Sequence, residues 1–260
     1  MRIDRRALFT SATAATLLAA TGVSAAARPK SGGQLRIALP RDGSDGVLVR
    51  GAVRSNLTEI AADGTLQGEL ATSWTSTGDG RLWRFELTKA LDHTGQYVTS
   101  QNVASALRLG GFAADADGSA ITIELDAPDP QLPLALAQSG AALDLPNGTG
   151  TYSVQRFEPG RGFLLTREAK AFKIGRAGWA DTVEAVVIPD AHVRAEALLD
   201  GFVDVAVLPR PDSFRDRALF RYHPSAAEMV VAAGPHVGVP ARIGAGPLDG
   251  GRLAERWWLA

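Results

Sequence analysis

Apolar and polar residues alternate at Leu35, Ile37 and Leu39, at Trp83, Phe85 and Leu87, and at Ile121, Ile123 and Leu125. Each run can bury one face of an extended strand and leave the other wet. Similar runs predict strands over 152–157, 163–167, 183–188 and 203–208. Helical spacing is rarer. Val103 and Leu107 lie one turn apart after Thr99, which is placed to cap the first free N–H groups. A second helix is predicted over 131–138, with Pro133 in its first turn, where a missing N–H costs little. A third lies between Asp190 as cap and Gly201 as terminator.

Turn chemistry separates these elements at Gly78-Asp79-Gly80, Asp92-His93-Thr94-Gly95 and Pro146-Asn147-Gly148. The polar, glycine-containing stretch over 40–50 reads as a loop leading into 52–60. Many short strands with a few helices argue an α/β (α+β) organisation, not a barrel or a bundle. After Ala232 the chain is punctuated by Gly-Pro, Gly-Val-Pro and Gly-Gly, so regular structure is expected there only over 252–259. In that stretch Leu253 and Trp257 are spaced for one apolar helix face. The boundaries expected are 1–27, 28–231 and a tail over 232–260.

The first segment reads as an export signal. Arg5-Arg6, an apolar run over 12–23 and Ala25-Ala26-Ala27 give charged, apolar and small-residue regions in order. Cleavage is expected near Ala27, and the arginine pair favours the twin-arginine route over general secretion. The apolar run is too short to anchor a mature protein in a bilayer, which takes about 20 apolar residues. Losing Arg2, Asp4, Arg5 and Arg6 from a chain with 27 basic and 28 acidic residues leaves a net charge of about −3. No basic stripe is present, so no nucleic-acid partner is expected. With no cysteine, a disulfide framework, a thiolate metal site and a catalytic thiol are excluded.

Candidate chemistry is sparse. His93, His192, His223 and His236 lack the spacing of a helical zinc site, and a turn histidine such as His93 reads as structural. Asp115-Ala116-Asp117-Gly118 begins like a calcium loop but lacks the later oxygen ligands, so it reads as a turn. There is no Gly-x-Ser-x-Gly elbow. No catalytic residue, metal or cofactor is assigned. For binding, the candidates are Arg41 and Asp42 at the end of the first strand, with Arg50 and Asn56 beyond. Asp can hold an amine and Arg a carboxylate, whereas a solvated loop is the plainer reading. Trp257 and Trp258 either pack into their own domain or form a partner surface.

Several motifs resemble one family in the same order along the chain. They are Leu70-Ala71-Thr72-Ser73-Trp74, the turn at Gly78, the strand from Trp83, the turn with His93 and Gly95, and the capped helix after Thr99. Gly148-Thr149-Gly150-Thr151-Tyr152 continues the match, although the family usually has Pro where Thr151 stands. The stretch over 190–204 completes it. These residues, spread over about 33–231, are similar to the extracytoplasmic solute-binding proteins, family 5, of peptide, oligopeptide and nickel ABC importers. The resemblance implies a lobe of a type II periplasmic binding protein, with a mixed β-sheet and flanking helices, located in the periplasm. It also implies non-catalytic binding of a peptide or other small solute for an ABC permease. The chain is expected to hold only the first lobe, with the ligand-closing second lobe absent. On that basis a shortened lobe acting as a protein-interaction module is the alternative, and a hydrolase with spatially assembled residues is a third.

Overall fold

A computed structural model describes residues 29–77, 79–209, 220–222, 229–244 and 246–260. The expected export signal and Gly78 of the first predicted turn lie outside the described residues. The first strand, β1 (Gln34–Leu39), takes the central place in a seven-stranded sheet. Leu35, Ile37 and Leu39 enter the main core, while Ala38 enters a smaller core on the opposite face. The sheet contains β8 (Tyr152–Glu158), β9 (Gly162–Arg167), β10 (Thr182–Val187), β11 (Val205–Pro209), β12 (Phe220–Tyr222) and β13 (Met229–Ala233). Its order is β12-β13-β11-β1-β10-β9-β8. Only the pairings of β1 with β10 and with β11 are parallel.

Between β1 and β8 the chain builds a second core. The hairpin β2 (Thr58–Ile60) and β3 (Leu66–Gly68) leads to a four-stranded antiparallel sheet in the order β4-β5-β7-β6. Its strands are β4 (Ala71–Ser76), β5 (Leu82–Leu87), β6 (Ala113–Asp117) and β7 (Ala120–Glu124). Trp83 and Phe85 from β5 and Ile121 and Ile123 from β7 pack there against Val103 and Leu107, as their alternation predicts. The helix carrying those last two is α2 (Ser100–Leu109). Thr99 caps it reciprocally: Thr99 Oγ1 accepts from Asn102 N–H at 3.2 Å, and Asn102 Oδ1 accepts from Thr99 N–H at 3.0 Å. α3 (Leu132–Ala135) is shorter than expected but does carry Pro133 in its first turn.

Two elements differ from the sequence reading. α1 (Ser44–Val53) begins inside the stretch read as a loop over 40–50 and runs past its end. Its buried face is Asp45, Leu48, Gly51 and Ala52, and Asp45 Oδ2 accepts from Gly160 N–H at 2.7 Å. Burial of a narrow face outweighs the weak propensity of a segment with two glycines. The presumed turn at Asp115 is in fact β6, which turns only at Gly118, where φ is 61°.

The tail also differs. β13 runs through the boundary expected at Ala232 and pairs with β11. The expected helix covers only α5 (Leu253–Arg256). Beyond it, β15 (Trp258–Leu259) pairs with β14 (Val237–Gly238) instead of continuing the helix. Leu248, Leu253, Ala254 and Trp257 belong to the main core. Trp257 and Trp258, weighed above as core or partner surface, are 0% and 4% exposed and pack into their own domain. Trp257 Nε1 donates to Asp249 Oδ2 at 3.2 Å, and Trp258 lies over Gly238, where a Cβ would meet its Nε1 at 2.1 Å.

A buried ionic cluster fixes this tail to the hairpin. Lys173 Nζ donates to Glu59 Oε2 at 2.7 Å, Glu69 Oε1 at 3.1 Å and Glu255 Oε2 at 3.1 Å. Arg252 donates to Glu69 at 2.5 and 2.9 Å and to Glu255 at 2.7 Å. Thr151, standing where the resembled family has Pro, donates from Oγ1 to Glu255 Oε1 at 2.6 Å. Burial alone would raise the Glu69 carboxyl, but the charges of Arg252 and Lys173 outweigh it and hold it at about 2. Burial would likewise lower the Lys173 ammonium, yet Glu255 and Glu69 raise it above its ordinary value.

Candidate functional site

The chain leaves β10, crosses through α4 (Ala191–Leu199) and enters β11 on the other side of β1. The carboxyl ends of these three parallel strands therefore diverge at a topological switch point, where open α/β sheets place their ligands. Arg41 and Asp42 follow the end of β1 after Pro40 and are both exposed. Asp42 Oδ1 accepts from Ser44 N–H at 3.0 Å, and Gly43 takes φ 83° ahead of α1. The Asp42 side chain is thereby positioned by the helix start rather than left to swing.

The floor under this loop is made by Arg194, which the sequence reading did not single out. Its side chain is buried, with Nε donating to Val207 O at 2.6 Å and Nη1 to Ile188 O at 2.6 Å and Pro189 O at 3.0 Å. One guanidinium thus ties the carboxyl ends of β10 and β11 together. Burial lowers its pKa, opposed by the negative charges of Asp42 and Asp190. Asp190 caps α4 by accepting from His192 N–H at 2.7 Å and Val193 N–H at 3.2 Å, and those bonds hold its carboxyl below the usual carboxylate value. Arg194 shares the buried face of α4 with Ala195 and Leu198. Its helical spacing from Leu198 was the one available sequence signal.

The four predicted binding residues are not brought together. Arg50 is exposed in the last turn of α1, six residues or about 9 Å along the helix from Ser44. Asn56 is 1% exposed and its polar atoms are engaged internally: Nδ2 donates to Gln138 O at 2.8 Å and the backbone N–H to Glu69 Oε2 at 2.9 Å. Asn56 is thus held in the interior beside the second core, with its side chain turned from solvent. Only Arg41 and Asp42 share the strand-end loop. His93 is structural as read: its Nε2 lies 3.0 Å from Gly150 O, and its backbone N–H donates to Gly148 O at 3.3 Å. Among the described residues no group of three or more His, Cys, Asp or Glu side chains is arranged to hold a metal ion, and no helix is long and apolar enough to cross a membrane.

A family model described as bacterial extracellular solute-binding proteins, family 5 Middle, matches residues 65–220. No curated protein matches the chain. Among solved structures, the chain is similar to the binding protein AgaA from A. tumefaciens R10 in complex with agropinic acid, at 23% identity and TM-score 0.59. That match covers 67% of this chain and 44% of the other. A nickel ABC transporter protein from Bacillus halodurans matches at 20% identity and TM-score 0.61, over 74% and 47% of the two chains. The ABC transporter-associated periplasmic binding protein DppA from Helicobacter pylori, in complex with peptide STSA, matches at 16% identity and TM-score 0.62, over 74% and 51%. The chain spans about half the length of these neighbours. The likeness establishes a periplasmic-binding-protein fold of mixed sheets with flanking helices.

Proposed function

The chain belongs to the bacterial extracellular solute-binding proteins, family 5, and from that membership we propose that it binds a small solute at the carboxyl ends of β1, β10 and β11. Binding is non-catalytic. The observation that supports this reading is the placement of an exposed, oppositely charged pair, Arg41 and Asp42, at the switch point above Arg194. Asp42 would accept from a ligand amine and Arg41 would donate to a carboxylate, both through charge-assisted bonds. That pairing suits a peptide or a similar zwitterionic solute, in keeping with the peptide and agropinic acid bound by the two neighbours. Arg50 adds positive charge farther along α1 without touching the same group. The protein is exported, by the twin-arginine route with cleavage near Ala27, and delivers solute to an ABC permease outside the cytoplasm.

Titration calorimetry with short peptides is the direct test. Heat and a rise in melting temperature are expected together, because a ligand that binds only the folded state stabilises it by mass action. Arg41→Ala and Asp42→Ala should each weaken binding about tenfold, the loss of one charge-assisted bond. Absence of both heat and stabilisation at saturating peptide would reject the reading and favour the interaction-module alternative.

A further inference from the structure

The turn between β8 and β9 reaches the same edge of the main sheet as the strand-end site. Val187 ends β10 and lies beside Leu39 of β1. On its other side the register of β9 continues past the pair of Val186 and Gly162 to Arg161, and Val187 N–H donates to Arg161 O at 2.8 Å. Leu39, Val187 and Arg161 therefore form a row across three strands, roughly 10 Å from end to end. Residues opposite one another in an antiparallel pair share a face. Val187 packs on the main core with Leu48 and Ala52 of α1, so Arg161 leaves the sheet on the face that carries α1.

The two loops are also bonded to each other. Asp45 Oδ2 accepts from Gly160 N–H at 2.7 Å, which ties the helix turn following Arg41 and Asp42 to the residue before Arg161. The backbones are thus held at a set separation while the Arg161 side chain, 80% exposed, stays available. Among the described residues its ion pair is with Glu158 of its own turn, Nη1 lying 3.4 Å from Oε2. An exposed pair of this kind contributes little and gives way to a better-placed carboxylate. Asp45 does not compete for the guanidinium, being 3% exposed and committed to Gly160.

We infer that Arg161 determines specificity at the strand-end site and that the solute carries a second carboxylate, as an acidic peptide does; the inference rests on the binding reading above. Asp42 takes the amine, Arg41 takes the main-chain carboxylate and Arg161 donates to the side-chain carboxylate. A dipeptide extends about 7 Å, so its two carboxylates and two long arginine side chains together bridge the row. A neutral peptide leaves Arg161 with Glu158 alone.

The test is titration calorimetry with the dipeptides Ala-Glu and Ala-Gln, which match in shape and differ in charge. Ala-Glu is expected to bind about tenfold more tightly to the unaltered protein. Arg161→Gln should remove that preference and leave the affinity for Ala-Gln unchanged, a result that mere loss of folding does not give. Equal binding of the two dipeptides, or a preference that survives in Arg161→Gln, would overturn the role of Arg161 while leaving the strand-end site standing. Binding of neither dipeptide would reject the strand-end reading and this inference with it.

Discussion

Lys173 sits at the point where three separate parts of the chain meet, each contributing one carboxylate: Glu59 from β2, Glu69 after β3, and Glu255 from α5. None of these residues stood out in the sequence, because a lysine after an aromatic and glutamates near strands read as ordinary surface positions. Their meaning comes from burial. Removing one partner from a buried ion network leaves charges unpaired and costs about 3–5 kcal/mol. Lys173→Met should therefore lower the melting temperature by ~6–20 °C for a domain of this size. The sign of the pH dependence follows from the depressed Glu69. Its contribution is fully present above the ordinary value of 4.5 and is lost as pH falls toward about 2. Asp204 adds to the same trend. Burial would raise its carboxyl, but Arg36 and His236 hold it below its ordinary value. Urea unfolding followed by tryptophan fluorescence at neutral and acid pH checks both points. A Lys173→Met variant within about 1 kcal/mol of wild type would show the cluster to be marginal.

At the scale of elements, local signals succeeded where one face meets one core. β1, β5 and β7 were legible because a period of two leaves little choice of face. α2 was legible from its cap, and Thr99→Ala should cost about 1 kcal/mol and speed hydrogen exchange in its first turn. Unchanged exchange there would mean that packing of Val103 and Leu107 alone fixes the helix start. α1 was missed for the opposite reason. Its buried face includes Asp45 and Gly51, which no hydrophobic count detects, and Gly51 is there because Gly251 O approaches to where a Cβ would sit at 2.1 Å. The candidate site shows the same division. Arg41 and Asp42 were visible as a charged pair after a strand, whereas Arg194 needed the crossover between β10 and β11 to give it a purpose.

Over the whole molecule, two cores are joined through the hairpin, the Gly148 turn and the tail. The left-handed run from Leu248 to Gly251 puts a leucine at φ 54° and an aspartate at φ 59°, each costing roughly 1–2 kcal/mol. That strain is offset because Leu248 is buried in the main core and Asp249 takes hydrogen bonds from Gly244, Arg256 and Trp257. Leu248, Leu253 and Trp257 together contribute roughly 5–9 kcal/mol of apolar burial, comparable with the entire stability of a domain. Deleting 246–260 should therefore abolish the cooperative unfolding transition in scanning calorimetry. A preserved transition would show that the tail merely rests on a complete core. By itself, the sequence determined the strand periods, the capped helix and the family, because these depend on residues close together in the chain. Only the tertiary structure decided that the glycine-rich tail belongs to the core, that Asn56 faces inward and that four distant charges gather around Lys173. Those outcomes depend on which surfaces are buried together, and long-range burial leaves no local period to read.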